Sequence, residues 1–237
     1  SNEFIDSQIN INEMYIGTFH SICLRILKEH LEYTRLKKNY RALDQFEQQY
    51  LVFQKIGQFR RLPNYDAVIT KDSAWNPAGE IVKYVNSLVE ELVDVDKMLK
   101  DRDPQISGLA HIVKKYQEII EEENYIDFSG LQTETYRLFN EHHEILEELQ
   151  QKIKYLMVDE YQDTNFIQEE LVFMIAGKRK NICVVGDDDQ GLYRFRGATI
   201  RNILEFPSHF PKNKCKQVKL VNNYRSEAQI IDFYNQL

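Results

Sequence analysis

Two adjacent carboxylates, Asp159 and Glu160, are the side chains in this sequence best placed to do chemistry. They directly follow a short apolar run, residues 155–158, and the polar segment after them favours the start of a helix. This pattern predicts a buried strand that delivers both acids to its carboxyl edge. Ligands of open α/β sheets bind beyond that edge, where such acids can hold a phosphate-bound metal ion and handle an attacking water. The pair also fits an ordinary solvated turn that caps the next helix.

A second apolar run, residues 181–186, also ends in acids, and Gln190 follows them. A helical pattern over about residues 165–176 separates the two runs, closed by a glycine and capped by Asp163 or Thr164. Two buried strands joined by a helix predict a parallel sheet. Residues 217–221 read as a third strand of this set.

Aromatic and arginine side chains alternate just beyond the second strand, at Tyr193, Arg194, Phe195 and Arg196. Arginine makes bidentate contacts with phosphate, and aromatic faces stack on unpaired bases, so this alternation suits a groove for single-stranded nucleic acid. A half-buried amphipathic strand would alternate in the same way. Residues 178–225 carry eleven Lys or Arg against four Asp or Glu, a net +7, whereas the whole chain is −7 and the remainder therefore −14. A local basic face of this kind fits a nucleic-acid groove, and it equally fits a solvated surface.

Near the amino terminus, residues 15–18 read as a short strand and residues 19–28 as a helix that Thr18 caps. This arrangement puts His20 near a strand end, where an imidazole could meet a phosphate; a capping or packing histidine fits the pattern as well. Residues 31–126 are helical in pattern with little strand signal. Their candidate helices are residues 42–56, 81–99 and 109–123, separated by breakers at residues 62–64, 76–79 and 103–104. This pattern predicts a helical subdomain inserted between strands of an α/β fold.

Composition sets broad limits on the class of protein. A chain of 237 residues with 43% hydrophobic and 28% charged residues is typical of a soluble globular protein. No apolar run approaches the length of a membrane span, and the amino terminus does not resemble a secretory signal. The three cysteines, Cys23, Cys183 and Cys215, are scattered without a Cys-x-x-Cys spacing, which favours a reduced compartment and disfavours a zinc site.

In order and spacing, five segments closely resemble the later motifs of superfamily 1 DNA helicases of the UvrD/Rep/PcrA type. They are residues 18–21 (Thr-Phe-His-Ser), 127–128 (Asp-Phe), 158–164, 186–198 and 223–226 (Asn-Tyr-Arg-Ser). The resemblance implies an α/β fold, a partial RecA-like parallel-sheet lobe with a large inserted all-helical subdomain. Residues 1–30 and 127–237 would belong to the lobe, and residues 31–126 would form the insert.

The resemblance also assigns roles around a nucleotide. Asp159 would hold Mg²⁺ through water, and Glu160 would orient and deprotonate the attacking water. Gln190 would sense the γ-phosphate. Tyr224 would lie against the adenine, and Arg225 would reach the γ-phosphate in the manner of an arginine finger.

On the DNA side, the resemblance implies that Tyr193 and Phe195 stack on bases of single-stranded DNA. Phe195 stands where these helicases commonly have Trp, so stacking should persist with a smaller face. Arg196 would couple the DNA and nucleotide sites, and Thr18 and His20 would line the DNA path.

The implied activity is ATP-dependent translocation along single-stranded DNA, 3′ to 5′, with unwinding at junctions of single and double strands. The implied setting is the cytoplasm of a bacterium, with ATP and Mg²⁺ as cofactors and no membrane partner. Two other functions stay open: a non-catalytic DNA- or protein-binding module of the same fold, and the helicase portion of a helicase-nuclease.

A P-loop, Gly-x-x-x-x-Gly-Lys-[Ser/Thr], is missing from these 237 residues. The one Gly-Lys pair, Gly177-Lys178, has Val172 and Arg179 at the other required positions. We therefore expect an internal fragment of a longer helicase. By itself it should bind neither ATP nor Mg²⁺ tightly, and it should neither hydrolyse ATP nor unwind DNA.

Overall fold

The computed structural model describes residues 14–69, 73–187 and 200–234. The chain divides into two compact units, Ser1–Ile203 and Leu204–Leu237. The described helices are α1 (Phe19–Glu29), α2 (Gln45–Phe59), α3 (Tyr65–Val68), α4 (Trp75–Glu90), α5 (Val95–Met98), α6 (Pro104–Glu122), α7 (Phe128–Glu141), α8 (His143–Lys152), α9 (Phe166–Ala176), α10 (Ile200–Glu205) and α11 (Ala228–Tyr234). The described strands are β1 (Arg41–Ala42), β2 (Tyr125–Ile126), β3 (Leu156–Val158) and β4 (Ile182–Val184).

The strands form two parallel pairs. In the first pair, β1 lies beside β2 with Ala42 opposite Ile126. In the second, β3 lies beside β4 with Val158 opposite Val184. Helix α9 connects β3 to β4, as a parallel pair requires a crossover. The parallel pairing predicted for the two acidic strand ends is confirmed.

Helices α2, α4 and α6 build the first hydrophobic core, which draws its buried side chains from residues 43–119. Asp44 and Glu47 form a capping box at the start of α2, and Asp103 caps α6 ahead of Pro104. The prediction of one helix over residues 81–99 is wrong, because α4 and α5 are separate there. A break at residues 76–79 is also wrong: Pro77 lies in the first turn of α4, where its missing N–H needs no partner.

A second core joins α1, α7, α8 and α9. Its largest fully buried side chains include Ile26, Leu27, Phe139 and Ile167. Strand β3 reaches this core through Leu156, which is partly buried against it. The two cores meet near β2, where Tyr125 packs on the first and Ile126 belongs to the second.

Three predictions about strands are wrong. Met157 and Cys183, at the middle of β3 and β4, are exposed, so these strands are covered on one face only. Residues 15–18 form no strand, whereas the prediction that Thr18 caps α1 is confirmed. Residues 217–221 also form no strand. Their apolar side chains are largely exposed, and no described strand pairs with them. An apolar run becomes a strand only when a neighbouring backbone supplies hydrogen bonds.

The second unit contains α11 and a short 3₁₀ turn, Phe206–His209. Phe206 is buried, with its ring centroid 5.1 Å from that of Phe210. Before α11, Asn223 Oδ1 accepts hydrogen bonds from the amides of Arg225 and Ser226. Among the described residues of the whole chain, no helix is both long and apolar enough to cross a bilayer.

Candidate functional site

The backbone ladder between β3 and β4 continues beyond both strands. The amide of Val185 donates to the carbonyl of Val158 at 2.9 Å, and the amide of Tyr161 donates to the carbonyl of Val185 at 2.9 Å. The segment after β3 therefore runs beside the segment after β4. Asp159 and Glu160 lie at this shared carboxyl edge, with both side chains exposed.

Glu160 adopts a left-handed backbone conformation, with φ 50° and ψ 45°. For a residue with a side chain this conformation costs about 1–2 kcal/mol, so the surrounding contacts must hold it. The Glu160 amide donates to Asp159 Oδ1 at 3.0 Å. Its carboxylate accepts a hydrogen bond from Gln162 Nε2 at 2.7 Å. The two acids are thus fixed relative to each other and to the turn that follows.

Gln162 is buried and links the two strand ends. While its Nε2 donates to Glu160, its Oε1 accepts from the amide of Asp187 at 3.1 Å. Gly186 makes room for this arrangement, because a Cβ there would stand 2.5 Å from Gln162 Oε1. Sequence reasoning included Gln162 in a motif but gave it no role; the available signal was the pairing of this glutamine with a glycine at the end of the second strand.

Asp163 adds a third acid at this edge. Its Oδ1 is buried and has no hydrogen-bond partner within the described part of the chain. Burial raises the pKa of Asp163, and the negative charge of Glu160 raises it further. An unsatisfied carboxylate oxygen beside two other acids is electrostatically suited to a nearby cation.

The donor set fits Mg²⁺ that arrives with a nucleotide. Magnesium binds one or two protein carboxylates and completes its shell with water and phosphate oxygens. The described residues contain no group of three or more His, Cys, Asp or Glu side chains that could hold a metal ion on their own. Asp159 and its acidic neighbours therefore fit a shared protein–phosphate site better than a closed metal cage.

Buried hydrogen bonds stabilise the turn that follows Glu160. The Tyr161 hydroxyl donates to Glu169 at 2.9 Å, and burial, followed by the charge of Glu169, raises the pKa of Tyr161. The Thr164 hydroxyl donates to the Tyr161 carbonyl at 2.7 Å. Asn202 in turn donates to the Thr164 carbonyl at 3.1 Å. Asn165, one residue beyond the predicted caps, is the cap of α9.

A second group of candidate residues lies at the start of α1. Thr18 Oγ1 accepts from the amide of Ser21 at 3.3 Å and so caps this helix. The His20 ring lies 4.8 Å, centroid to centroid, from the ring of Phe128 at the start of α7. Phe128 is 44% exposed, so one side of this ring pair faces solvent. Sequence reasoning placed Phe128 in a motif without giving it a role.

The surroundings of His20 favour the neutral form of its imidazole. Its Nε2 lies 2.7 Å from Nε2 of the buried Gln132, which donates to it. Burial lowers the pKa of His20, and the opposing effect of the Asp127 charge is smaller. A neutral, partly buried ring offers an aromatic surface for a base more readily than a charge for a phosphate.

Asp127 anchors the turn that carries Phe128. Its Oδ1 accepts from the Gly130 amide at 2.6 Å and caps α7. Its Oδ2 accepts from the Tyr116 hydroxyl and from Gln48 Nε2, the latter at 3.1 Å. These bonds join α2 and α6 of the first core to α7 of the second. Burial nevertheless raises the pKa of Asp127, because desolvation of the carboxylate outweighs these donors.

A hydrogen-bonded link runs from the acidic edge towards His20. Glu90 at the end of α4 accepts from the Ser129 hydroxyl at 2.7 Å and is also hydrogen-bonded by the Asn165 side chain. Asn165 follows the acidic turn, and Ser129 is the neighbour of Phe128. Burial raises the pKa of Glu90. Glu90 thus bridges the helix after the acids and the helix that carries Phe128.

The structure brings Asp159 and Glu160 together and places Thr18 and His20 at the start of α1. Tyr224 and Arg225 belong to the second unit, where the Tyr224 side chain is exposed. The remaining predicted site residues, Gln190, Tyr193, Phe195 and Arg196, lie outside the described residues.

These features define a mixed helix–strand protein with short parallel sheets and an acidic strand edge. Residues 2–211 match the family described as the UvrD/REP helicase N-terminal domain, and the chain belongs to this family. It is 34% identical over 226 residues to DNA helicase II of Haemophilus influenzae and 34% identical over 224 residues to ATP-dependent DNA helicase PcrA of Staphylococcus epidermidis and of Staphylococcus aureus. Each match covers 94% of this chain, which spans 29% of the length of those relatives.

Proposed function

We propose that this chain is part of an ATP-dependent DNA helicase. ATP hydrolysis would drive movement along single-stranded DNA, 3′ to 5′, and unwinding at junctions of single and double strands. The observation that carries the proposal is the link from Glu160 through Gln162 to Asp187, which fixes an acidic pair at a shared strand edge. The names of the relatives, DNA helicase II and ATP-dependent DNA helicase PcrA, support it.

The proposed architecture is a RecA-like lobe interrupted by a helical insert. Residues 1–30 and 127–237 belong to the lobe, and residues 31–126 form the insert. The existence of two hydrophobic cores supports this division, since one core lies within residues 43–125 and the other contains α1 together with α7, α8 and α9.

In the proposed hydrolysis, Asp159 holds Mg²⁺, which supplies charge neutralisation at the phosphates. Glu160 orients the attacking water and accepts its proton, while the hydrogen bond from Gln162 keeps that carboxylate aimed. Gln190 senses the γ-phosphate. Arg225 stabilises the negative charge that develops on it, and Tyr224 packs against the adenine.

The proposed DNA path combines the aromatic residues after the second acidic strand with the residues at the start of α1. Tyr193 and Phe195 stack on bases, and Arg196 couples this segment to the nucleotide. Thr18 and His20 line the path nearer the start of α1. We add Phe128 to this proposed path; its partly exposed ring against the His20 imidazole supports the assignment.

Glu160→Gln in the full-length parent tests the catalytic assignment. This substitution removes the group that activates water and leaves Asp159 in place, so ATP turnover should fall steeply while nucleotide binding stays close to wild type. Steady-state hydrolysis and equilibrium binding of a nucleotide measure the two effects. Glu147→Gln on the exposed face of α8 is the matched control. Loss of nucleotide binding, or unchanged turnover, would mean that Glu160 has another role.

The 237-residue chain alone should not hydrolyse ATP, because its sequence supplies no P-loop lysine or hydroxyl for the phosphates. A hydrolysis assay on the isolated chain checks this expectation. A clear rate that Glu160→Gln abolishes would contradict it.

A further inference from the structure

Four aromatic side chains form an exposed cluster on the first core, away from the acidic edge in sequence. Phe46, Tyr50 and Phe53 come from α2 and are 65%, 47% and 36% exposed; Trp75, at the start of α4, is 38% exposed. The Trp75 ring lies 5.8 Å from Phe46 and 5.7 Å from Phe53, centroid to centroid. Tyr50 lies 6.4 Å from Phe46 and 6.3 Å from Phe53. We call these four residues the aromatic patch.

The aromatic patch is additional to the packing surface of α2. The buried side chains of this helix are those of Gln48, Leu51, Val52 and Phe59. A helix needs one apolar face to pack on a core, and the patch gives α2 a second, outward apolar face at positions i, i+4 and i+7. A contiguous exposed apolar surface of this kind is commonly a binding site.

The charges near the patch do not suit a nucleic acid. On α2, Glu47 pairs with Arg41, and Lys55 pairs with Glu123 at 2.7 Å. Between the aromatic positions the outward side of α2 carries Gln49, whose amide donates to the Trp75 carbonyl at 3.2 Å. Single-stranded nucleic acid requires basic side chains beside the stacking rings, and the positions of α2 between Phe46 and Phe53 supply none.

The size of the patch argues against a second copy of the chain. A fully exposed aromatic side chain presents about 150–250 Å², so the exposed fractions of these four sum to roughly 400 Å². A stable protein pair buries about 800 Å² on each partner. The patch therefore matches a short peptide segment better than a folded copy of itself.

We propose that the aromatic patch binds a proline-rich segment of a protein partner in the polyproline II conformation. Proline rings pack on aromatic faces, and the extended helix leaves its backbone carbonyls free to accept hydrogen bonds. The Tyr50 hydroxyl and the Trp75 indole N–H are donors of the required type. Such a ligand needs no charge from its receptor, and the one charged side chain between the three rings of α2, that of Glu47, is paired with Arg41.

Trp75 makes the proposal directly testable, because it is the one tryptophan in the sequence. Decaproline is titrated into the 237-residue chain while intrinsic tryptophan fluorescence is recorded, with a Gly-Ser peptide of equal length as the control ligand. We expect a saturable change with decaproline alone. Phe46→Ala and Tyr50→Ala should each weaken binding about tenfold or more. Tyr155→Ala, which removes an exposed aromatic ring elsewhere, should bind as wild type does.

Circular dichroism establishes that each variant is folded, as expected for side chains that already face solvent. The proposal is overturned if decaproline gives no saturation, if the Gly-Ser peptide binds equally, or if both patch variants bind normally. It is also overturned if oligo-dT produces the fluorescence change, or if sedimentation shows self-association that Phe46→Ala abolishes. Repeating the titration with the full-length parent must give binding too. These results are independent of the ATP and DNA assays.

Discussion

Gln162 donates a hydrogen bond to Glu160 at 2.7 Å from a fully enclosed position between two strand ends. The Oε1 of the same side chain accepts a hydrogen bond from the Asp187 amide. The position of the Glu160 carboxylate therefore depends on the register between β3 and β4. An exposed acid in a strained backbone conformation is thereby held in one orientation. Water activation depends on such positioning.

Gln162→Ala in the full-length parent should therefore lower ATP turnover by about 10–100-fold, the usual effect of removing a residue that orients a catalytic group. Nucleotide affinity should change less, because Asp159 remains. Steady-state hydrolysis and nucleotide binding separate the two. Gln151→Ala, at an exposed position, should leave both unchanged. Turnover near wild type in Gln162→Ala would show that Glu160 needs no such support.

Asp127→Asn should reveal a pH-dependent contribution to stability. Burial raises the pKa of Asp127 above its ordinary value of 3.8, so the folded state prefers the protonated carboxyl. The contribution of the protonated Asp127 carboxyl to the free energy of unfolding is therefore greatest below pH 3.8, and it declines as the pH rises towards the raised pKa. Asparagine keeps the shape without the charge. Urea unfolding at several pH values should show the variant gaining stability relative to wild type through that window; a difference that does not vary with pH would contradict this.

Tyr116→Phe tests the buried Asp127 carboxylate by removing one of its hydrogen-bond donors. The hydroxyl of Tyr116 is a donor to Asp127, and its removal leaves a buried carboxylate short of one partner. The free energy of unfolding should fall by about 1–3 kcal/mol at neutral pH. The upper end of the pH window in which stability depends on the protonation of Asp127 should also move to higher pH, since a donor that lowers the pKa of Asp127 in the folded state is lost.

Two glycines on the helices of the first core should respond oppositely to alanine. A Cβ on Gly108 in α6 would stand 2.7 Å from both the Asn64 carbonyl and Val68, where α3 packs. Gly108→Ala should destabilise the chain by about 1–3 kcal/mol. Gly57 in α2 has no atom within 4 Å of such a Cβ, and Gly57→Ala should stabilise by roughly 0.5–1 kcal/mol. Thermal melting of both variants measures these changes in stability. A Gly108→Ala variant more stable than Gly57→Ala would contradict the prediction.

Aromatic truncations should weaken binding of single-stranded DNA to the full-length parent. Tyr193→Ala, Phe195→Ala and Phe128→Ala should each cost about 1–3 kcal/mol for a lost base stack. Fluorescence anisotropy with a labelled oligonucleotide at constant salt measures the loss. Phe166→Ala, an exposed aromatic at the start of α9, is the control. Unchanged affinity in any of the three would remove that residue from the DNA path.

The sequence by itself determined features that depend on neighbouring residues. The apolar runs before Asp159 and Asp187 predicted two parallel strands, and Thr18 and Gly177 marked helix ends, because strand register and helix caps follow from local side-chain chemistry. The motifs around these strands also resembled the family to which the chain belongs.

Other features depend on groups far apart in the chain, and only the tertiary structure decided them. The contact of His20 with Phe128 spans more than a hundred residues, and the bonds from Asp127 to Tyr116 and Gln48 cross between two cores. Residues 217–221 look like a strand by composition, yet a strand forms only when another backbone supplies hydrogen bonds. The local sequence pattern limits which secondary structures a segment can form. Burial and hydrogen-bond partners from distant parts of the chain decide which of them it adopts.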